Sequence, residues 1–426
     1  MSKDVHAVNQ TAALVLSVDT PIGLTVLREL GAHGVHVVAL SRQAASIGFA
    51  SRYAREKVVL SQQRELALKQ LVALSAQHPH ACLYVMGEAD ILWLNTVRTQ
   101  IPLLNCRFPS TEHMRTVLNK DDTAHLAAEC GIRTIKTIQL TDLTDATLAR
   151  LQYPLLCKWA NPHRVSPQLE QQGLPLDKLK YLYNADQAKA YLSPFLAAKI
   201  ELPLLMPYVP GTGLGQCYHR TAEGEITAYF QHRRIHEWPP EGGSSALCES
   251  VAPTLWPDLD ARSRTLLARL DWSGVAMVEY RADLDTARTA DDFTLMEING
   301  RFWGSLPLAS QAGVHFAVAD YQAATSTRSS TNTRSNTTPP SKASTETEHP
   351  SHNLCRAQYF LPSLKHVLRV LLQPSKIPDK HRQFPPLHTL WQFTCASLSP
   401  FTKRFVFRWS DPLPSLRDLR NMLTKH

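Results

Sequence analysis

The sequence predicts an α/β protein, with a parallel sheet near its beginning and antiparallel strands farther along the chain. An apolar run at residues 12–18, a short helix at 24–30 and a second apolar run at 35–40 form a strand–helix–strand unit, which is typical of parallel sheets. Between residues 274 and 304, two apolar runs flank a polar break, as in paired antiparallel strands. At 426 residues the chain is too long for one ordinary core, so two or three domains are expected.

The composition predicts a globular, cytoplasmic protein. Hydrophobic residues make up 44% of the chain, yet no apolar run is long enough to predict a membrane span. Residues 1–6 lack the apolar core of a signal peptide. The eight cysteines are scattered without a C-x-x-C pair, so we expect reduced thiols, with Cys82 and Cys157 buried in apolar runs.

The net charge of +8 is concentrated at the end of the chain. Residues 354–426 contain twelve Lys and Arg against three Asp, so this region carries +9 and the rest of the chain carries −1. Because the body of the protein is nearly neutral, the basic composition does not indicate a nucleic-acid partner.

The segment 274–304 contains the strongest candidate site. Side chains alternate along a strand, so Glu297 and Asn299 share one face, and Glu279 joins them if the two strands pair. Such carboxylate and amide oxygens suit Mg²⁺, which takes the rest of its shell from water and phosphate. Arg301 falls on the same face and could hold a phosphate oxygen. The alternative is that both glutamates lie on the solvent face of an amphipathic hairpin.

Residues 296–301 (Met-Glu-Ile-Asn-Gly-Arg), with 278–281 (Val-Glu-Tyr-Arg) upstream, resemble the metal-binding end of the ATP-grasp superfamily, and more closely its carboxylate–amine ligase branch. The resemblance covers residues 10–325. It implies a Rossmann-like domain in front of a two-subdomain ATP-grasp fold. It also implies a ligase that joins small-molecule carboxylate and amine substrates, with ATP and Mg²⁺ as cofactors and Mn²⁺ as an alternative metal.

The resemblance also implies the phosphate-binding positions. Lys120 opens a predicted helix at 119–131 and matches the family lysine that reaches the nucleotide phosphates. Lys158, inside an apolar strand at 153–159, matches the lysine that contacts the α and β phosphates. A charge inside an apolar strand also requires an anionic partner. The family's flexible, Gly-rich phosphate-covering loop corresponds to residues 161–179, which contain a single glycine.

The adenine would be held, by the same resemblance, through the backbone of residues 202–211. The carbonyl of Met206 and the N–H of Tyr208 are the expected contacts. The acidic residue that the family commonly has before the aromatic one is absent, because Met206 and Pro207 stand there.

Two arginines are candidates for the substrate side. Arg233 and Arg234 end a basic strand and could bind a carboxylate or an acyl phosphate with two hydrogen bonds. Because neighbouring strand residues face opposite ways, only one of them can face the site. Glu88 and Asp90 follow another strand, either as substrate contacts or as helix N-terminal residues.

Four segments are therefore expected: a pre-ATP-grasp α/β domain at 1–112, an ATP-grasp domain at 113–325, a disordered Ser/Thr/Asn/Pro-rich linker at 326–353 and a small basic extension at 354–426. In the extension, residues 361–372 predict a basic amphipathic helix. This helix and its aromatic neighbours either dock on the catalytic body or lie on an anionic membrane surface.

Two other functions are compatible with the sequence. A non-catalytic ATP-binding protein would explain the missing hinge carboxylate and the Gly-poor loop. A nicotinamide-dependent enzyme would use the turn after the first strand, where only Gly23 is present and G-x-G-x-x-G requires three glycines. The resemblance instead implies that this first unit packs against the catalytic core.

Overall fold

The computed structural model describes residues 11–159, 162–177, 179–240, 242–329, 354–374, 377 and 385–424. Within these ranges the chain forms a parallel sheet, a large mixed sheet and a small antiparallel sheet, with helices between the strands. The predicted α/β class is confirmed. Among the described helices, none has both the length and the apolar character that a membrane crossing requires.

Residues 11–106 build the parallel sheet. Its elements are β1 (Ala13–Leu16), α1 (Pro21–Ala32), β2 (Val37–Ser41), β3 (Glu56–Val59), α2 (Arg64–Gln77), β4 (Cys82–Val85), α3 (Glu88–Thr96) and β5 (Asn105–Cys106). The strands lie in the order β3-β2-β1-β4-β5, and all neighbouring pairs run parallel. The first and second strands are buried along their whole length, as their continuous apolar runs predict.

The first helix is longer than the segment 24–30 that the sequence predicts. It begins at Pro21 because the Thr20 hydroxyl accepts a hydrogen bond from a first-turn backbone N–H (3.1 Å), and because proline suits the first helical position. It continues past Gly31, which serves packing: a Cβ there would lie 2.6 Å from the Cβ of Tyr53. The predicted stop at this glycine was therefore wrong.

The middle of the chain supplies the other two sheets. Its elements up to residue 207 are α4 (Thr111–Leu118), α5 (Lys120–Glu129), β6 (Arg133–Thr134), α6 (Asp145–Ala149), β7 (Leu155–Lys158), α7 (Pro162–Gln171), β8 (Lys180–Leu182), α8 (Ala185–Ala197) and β9 (Leu204–Pro207). Those that follow are β10 (Thr212–Arg220), β11 (Ile226–Trp238), β12 (Ser244–Ser250), α9 (Pro257–Arg269), β13 (Gly274–Ala282), β14 (Thr294–Asn299), α10 (Leu306–Gln311) and α11 (Phe316–Ser329). The small sheet has the order β8-β7-β9.

The C-terminal region completes the large sheet. It contains β15 (Arg356–Gln358), α12 (Phe360–Leu372), α13 (Pro386–Leu398), β16 (Lys403–Arg404) and α14 (Leu413–Thr424). The large sheet then has the order β16-β15-β12-β11-β10-β13-β14-β6. The structure thus joins the basic extension to the body by strand pairing.

A buried ion pair adds a second attachment of the C-terminal region. The Arg28 Nε donates to Asp411 Oδ2 at 2.8 Å, and both side chains are almost fully buried. The carboxylate also accepts hydrogen bonds from the Ser51 hydroxyl (2.7 Å) and the Arg52 backbone N–H (2.9 Å). The inner side of α12 is buried as well. The structure thus shows docking of this region on the body.

Several predicted boundaries differ from the structure. The boundary between 112 and 113 falls inside α4, and the first four residues of the predicted linker belong to α11. The remaining linker, 330–353, lies outside the described residues. Most of the expected phosphate-covering loop is the helix α7. No disulfide joins the eight cysteines, and Cys82 and Cys157 are buried as predicted.

Candidate active site

A cleft of about 540 Å³ lies where the three sheets approach one another. The first sheet contributes the start of α3, the small sheet contributes β7 and β9, and the large sheet contributes β11, β13 and β14. Nine of the ten residues predicted to bind the metal, the nucleotide or the acyl phosphate line it: Lys120, Lys158, Met206, Tyr208, Arg234, Glu279, Glu297, Asn299 and Arg301. The exception is Arg233.

One wall of the cleft carries an acidic cluster. The antiparallel pairing of β13 and β14 places Glu279 directly opposite Glu297, and Met277 opposite Asn299. Glu279 and Asn299 are each only 8% exposed, and the Asn299 amide donates to Glu297 Oε1 at 3.2 Å. Two carboxylates and an amide therefore converge on one buried spot, so the solvent-facing interpretation of the hairpin is wrong.

The two carboxylates have different proton affinities. Burial raises the pKa of Glu279 to about 7, against the opposing charge of Arg234, and the facing Glu297 adds to the rise. Burial alone would also raise the pKa of Glu297, but the positive charges of Lys158 and Lys120 hold it below its usual value. The cluster is therefore a place where an added cation would be stabilised.

The facing wall carries two lysines. Burial and the nearby charge of Lys158 lower the pKa of Lys120 to about 8. The Lys120 ammonium lies 3.8 Å from the sulfur of Met206. Among the described residues no carboxylate forms a salt bridge with Lys158; the anion that it faces is Glu297, through space. Within the part of the chain that the structure describes, both cations therefore lie without a carboxylate in salt-bridge contact, an arrangement that suits the binding of an anion.

The lysine wall leads to a prediction about pH. The sequence predicts that Lys120 binds nucleotide phosphates, which would require its charged form, and the pKa of this lysine is about 8. Between pH 8 and pH 9 the charged fraction falls from about one half to about one tenth, so the dissociation constant for ATP should rise by about fivefold. Calorimetric titrations at both pH values measure this rise.

A matched variant distinguishes Lys120 from other titrating groups. Lys120→Arg keeps a positive charge at both pH values and should flatten the dependence. An ATP affinity that falls equally in the wild type and in this variant would contradict the assignment.

Arg234 is buried in the acidic wall. Its guanidinium pairs with Glu279 and lies 3.8 Å from Glu237, and these two carboxylates raise its pKa against the effect of burial. Its neighbour Arg233 faces the opposite side of the sheet and pairs with the buried Glu249. The candidate role of Arg233 is therefore corrected: strand alternation directs it to a structural ion pair away from the cleft.

Arg301 joins two sheets across the cleft. Its Nε donates to Glu88 Oε1 at 3.0 Å, and its Nη1 donates to the Phe302 carbonyl at 3.0 Å. Glu88 is both the first residue of α3 and part of the cleft lining. Asp90 instead binds Arg42 at 2.8 Å, and it is not among the residues that line the cleft.

The predicted adenine contacts require one correction. The Tyr208 backbone N–H already donates to the Pro154 carbonyl at 3.1 Å, because β9 continues its pairing beside β7. That donor is therefore already used in a hydrogen bond within the protein. Met206 lines the cleft from β9.

Sequence reasoning missed Glu237 and Arg281. Both line the cleft, and the Glu237 Oε1 lies 3.8 Å from Arg234 and 3.9 Å from Arg281. Strand alternation predicts Arg281 on the face of Glu279, so this residue could have been found. The same rule predicts that Glu237 and Arg234 lie on opposite faces of the sheet. The register of β11 against β12 shifts on both sides of His236, however, and this changes the alternation.

The architecture defines a class of protein: a parallel α/β unit beside a large mixed sheet and a small antiparallel sheet, with a charged cleft between them. Comparison with solved structures narrows the class. The biotin carboxylase domain of Hydrogenobacter thermophilus 2-oxoglutarate carboxylase is similar, with a TM-score of 0.54 and 14% identity over 74% of this chain and 70% of that chain.

Two further enzymes are similar to the chain. Campylobacter jejuni biotin carboxylase has a TM-score of 0.54 and 14% identity over 73% of this chain and 70% of its own. The L-amino acid ligase of Bacillus licheniformis has a TM-score of 0.51 and 14% identity over 74% and 75%. These are ATP-grasp enzymes, and the chain has the ATP-grasp fold. No protein-family model and no curated protein matches the sequence.

Proposed function

We propose that the chain is an ATP-dependent ligase that activates a carboxylate as an acyl phosphate and passes the acyl group to an amine. The observation that carries the proposal is the two-sided cleft. Its acidic wall holds Glu279, Glu297 and Asn299, and its facing wall holds Lys120 and Lys158. A magnesium nucleotide needs this combination, because its metal seeks oxygen ligands and its phosphates seek cations.

The acidic cluster fits Mg²⁺, and the same oxygen donors also suit Mn²⁺. Glu279 and Glu297 face each other as like charges in a buried position, which is costly unless a cation lies between or beside them. These two residues and Asn299 would hold the metal. When bound, it would neutralise charge on the phosphates.

The remaining residues bind and orient the reactants. Lys120 and Lys158 would hold the phosphates, and Met206 would line the adenine side of the cleft from β9. Arg234 and Arg301 lie at the acidic wall, where each guanidinium could hold a carboxylate or an acyl phosphate. Charge that develops on the transferred phosphoryl group would then be stabilised by fixed cations in a site of low exposure.

The proposed reaction has two steps. A carboxylate oxygen attacks the γ-phosphorus, the bond to the bridging oxygen breaks, and ADP leaves. The amine nitrogen then attacks the acyl carbon, a C–N bond forms, and phosphate leaves as the amine loses a proton. No side chain of the protein has to act as a covalent nucleophile.

The fold neighbours support a reaction of this type. The Hydrogenobacter thermophilus domain was solved in complex with MgADP and bicarbonate, and bicarbonate is itself a small carboxylate-like anion. The Bacillus licheniformis enzyme is by its name a ligase of amino acids, which carry both a carboxylate and an amine. Both reactant classes proposed for this chain therefore occur among proteins of its fold.

A second candidate is an ATP-binding protein without turnover. Two features favour this second candidate. The Tyr208 N–H already donates a hydrogen bond within the protein, and residues 202–211 lack the acidic residue common in the family, so fewer contacts to adenine are available. It would bind magnesium and ATP but release no ADP with any carboxylate and amine. A nicotinamide-dependent enzyme is not favoured: Gly23 is required for packing, since a Cβ there would lie 2.3 Å from the Ser17 carbonyl oxygen.

The adjacent arginines provide the test of the proposal. ADP release is screened over pairs of carboxylates and amines, and the active pair is assayed with both variants. Arg234→Gln should lower kcat/KM by about 100-fold or more, because it removes a buried cation from the reacting side.

Arg233→Gln is the matched control. It changes the same residue type one position along the strand, and Glu249 keeps Arg356 as a partner at 2.6 Å. The activity of this variant should stay within a few fold of the wild type. An equal loss in both variants, or no ADP release with any pair, would argue against the proposed ligase.

A further inference from the structure

The C-terminal helices have an inner side that docks and an outer side that does not. In α12 the buried residues are Ser363, His366, Val367 and Val370, which recur at helical spacing. The Ser363 hydroxyl hydrogen-bonds His236 of β11 at 2.8 Å, and His366 hydrogen-bonds the Glu237 carbonyl at 2.7 Å. Docking thus accounts for one side of the predicted amphipathic helix and leaves the other side unexplained.

The outer side of α13 is apolar and exposed. Leu387, Trp391 and Leu398 are 81%, 64% and 80% exposed, and their spacing of four and seven residues places them on one helix face. The whole helix contains no Asp, Glu, Lys or Arg. A helix of a monomeric globular protein normally directs charged residues to solvent, so this face requires an explanation.

The apolar exposure continues onto the neighbouring elements. The rings of Phe360 and Phe393 pack at 5.5 Å, which joins α12 to α13. Phe401 and Trp409 are 83% and 89% exposed. We call the exposed apolar residues of the two packed helices, together with Phe401 just after α13, the C-terminal apolar face: Leu368, Leu371, Leu372, Leu387, Leu390, Trp391, Leu398 and Phe401.

The exposed charges among the described residues of the C-terminal region have one sign. The C-terminal region contains no Glu, and its two described aspartates are directed inward. Asp411 is buried against Arg28, and Asp418 lines a groove with Tyr359 and Lys365. Exposed cations remain, among them Lys365, Lys403 and Arg420.

We propose that the C-terminal apolar face binds the surface of an anionic lipid bilayer. Leucine, tryptophan and phenylalanine side chains would enter the interface between head groups and acyl chains, while the exposed cations of the same region would attract anionic head groups. A second copy of the chain is a poorer occupant, because two regions of +9 would repel each other. The proposal does not depend on the ligase activity.

Vesicle flotation of the full chain tests the proposal. We expect binding to phosphatidylcholine vesicles with about 30 mol% phosphatidylglycerol, and at least tenfold weaker binding to pure phosphatidylcholine. Raising the salt concentration from about 0.1 M to about 0.5 M should reduce the binding several fold, because the electrostatic part is screened.

A matched pair of triple variants locates the binding surface. Leu387→Ser/Trp391→Ser/Leu398→Ser should bind anionic vesicles at least tenfold more weakly. The control Leu66→Ser/Leu103→Ser/Leu255→Ser removes three exposed leucines elsewhere and should bind like the wild type. Because all six residues are exposed, both variants should keep the melting temperature of the wild type.

Four results would overturn the proposal. They are no flotation of the folded wild type, equal flotation with neutral vesicles, equal binding by the two triple variants, and self-association that only the first triple variant loses. The last result would identify a second copy of the chain as the occupant of the face.

Discussion

Glu297→Gln should weaken the binding of ATP in the presence of Mg²⁺ by about 100-fold or more. The side chain lies opposite Glu279 across paired strands, and the positive charges of both cleft lysines lower its pKa. The amide of glutamine keeps the size of the side chain but removes the negative charge that a hard cation requires. Calorimetric titration of ATP, with and without Mg²⁺, measures the loss.

Two controls separate loss of the metal site from general damage. Glu112→Gln changes an exposed residue on α4 and should leave ATP affinity unchanged. EDTA added to the wild type should reproduce the affinity of Glu297→Gln, because both remove the metal. If ATP binds the variant as tightly as the wild type, or binds the wild type equally well in EDTA, the acidic cluster is not a metal site.

Asp411→Ala should lower the free energy of unfolding by about 3–5 kcal/mol. The carboxylate is the common acceptor for Arg28, Ser51 and the Arg52 backbone, and it is 1% exposed. Its removal leaves the buried guanidinium without its counter-charge, which costs more than the pair contributes when intact. Chemical denaturation monitored by circular dichroism gives the difference.

The exposed pair of Lys189 and Asp145 provides the comparison for this buried pair. Asp145→Ala removes an ion pair of similar length (2.7 Å) from the surface and should leave stability nearly unchanged, since water solvates the lysine that remains. The double variant Arg28→Met/Asp411→Ala should be more stable than Asp411→Ala alone. A double variant that is less stable than Asp411→Ala would show that the loss comes from packing and not from an unpaired charge.

The alternation of side chains along strands allowed much of the cleft to be predicted. It predicts that Glu279, Glu297 and Asn299 share a face once β13 and β14 pair, and that only one of Arg233 and Arg234 can face the site. Helical spacing likewise predicts α12, whose observed bounds differ from the predicted ones by one residue. These features depend on local periodicity, which the order of residues determines by itself.

The tertiary structure decided which side chains face the cleft where local periodicity cannot predict it. The register shifts in β11 turn Glu237 toward Arg234, and they depend on the pairing with β12. The choice between Arg233 and Arg234 depends on where the partners Glu249 and Glu279 lie across the sheet.

Contacts between residues far apart in the sequence could also not be predicted from the sequence. Arg28 meets Asp411 383 positions later, and Glu88 meets Arg301 213 positions later. The sequence alone therefore determined the periodic elements and the charges that they carry. The fold decided which of those charges are buried together, because only the packing of distant segments excludes water from them.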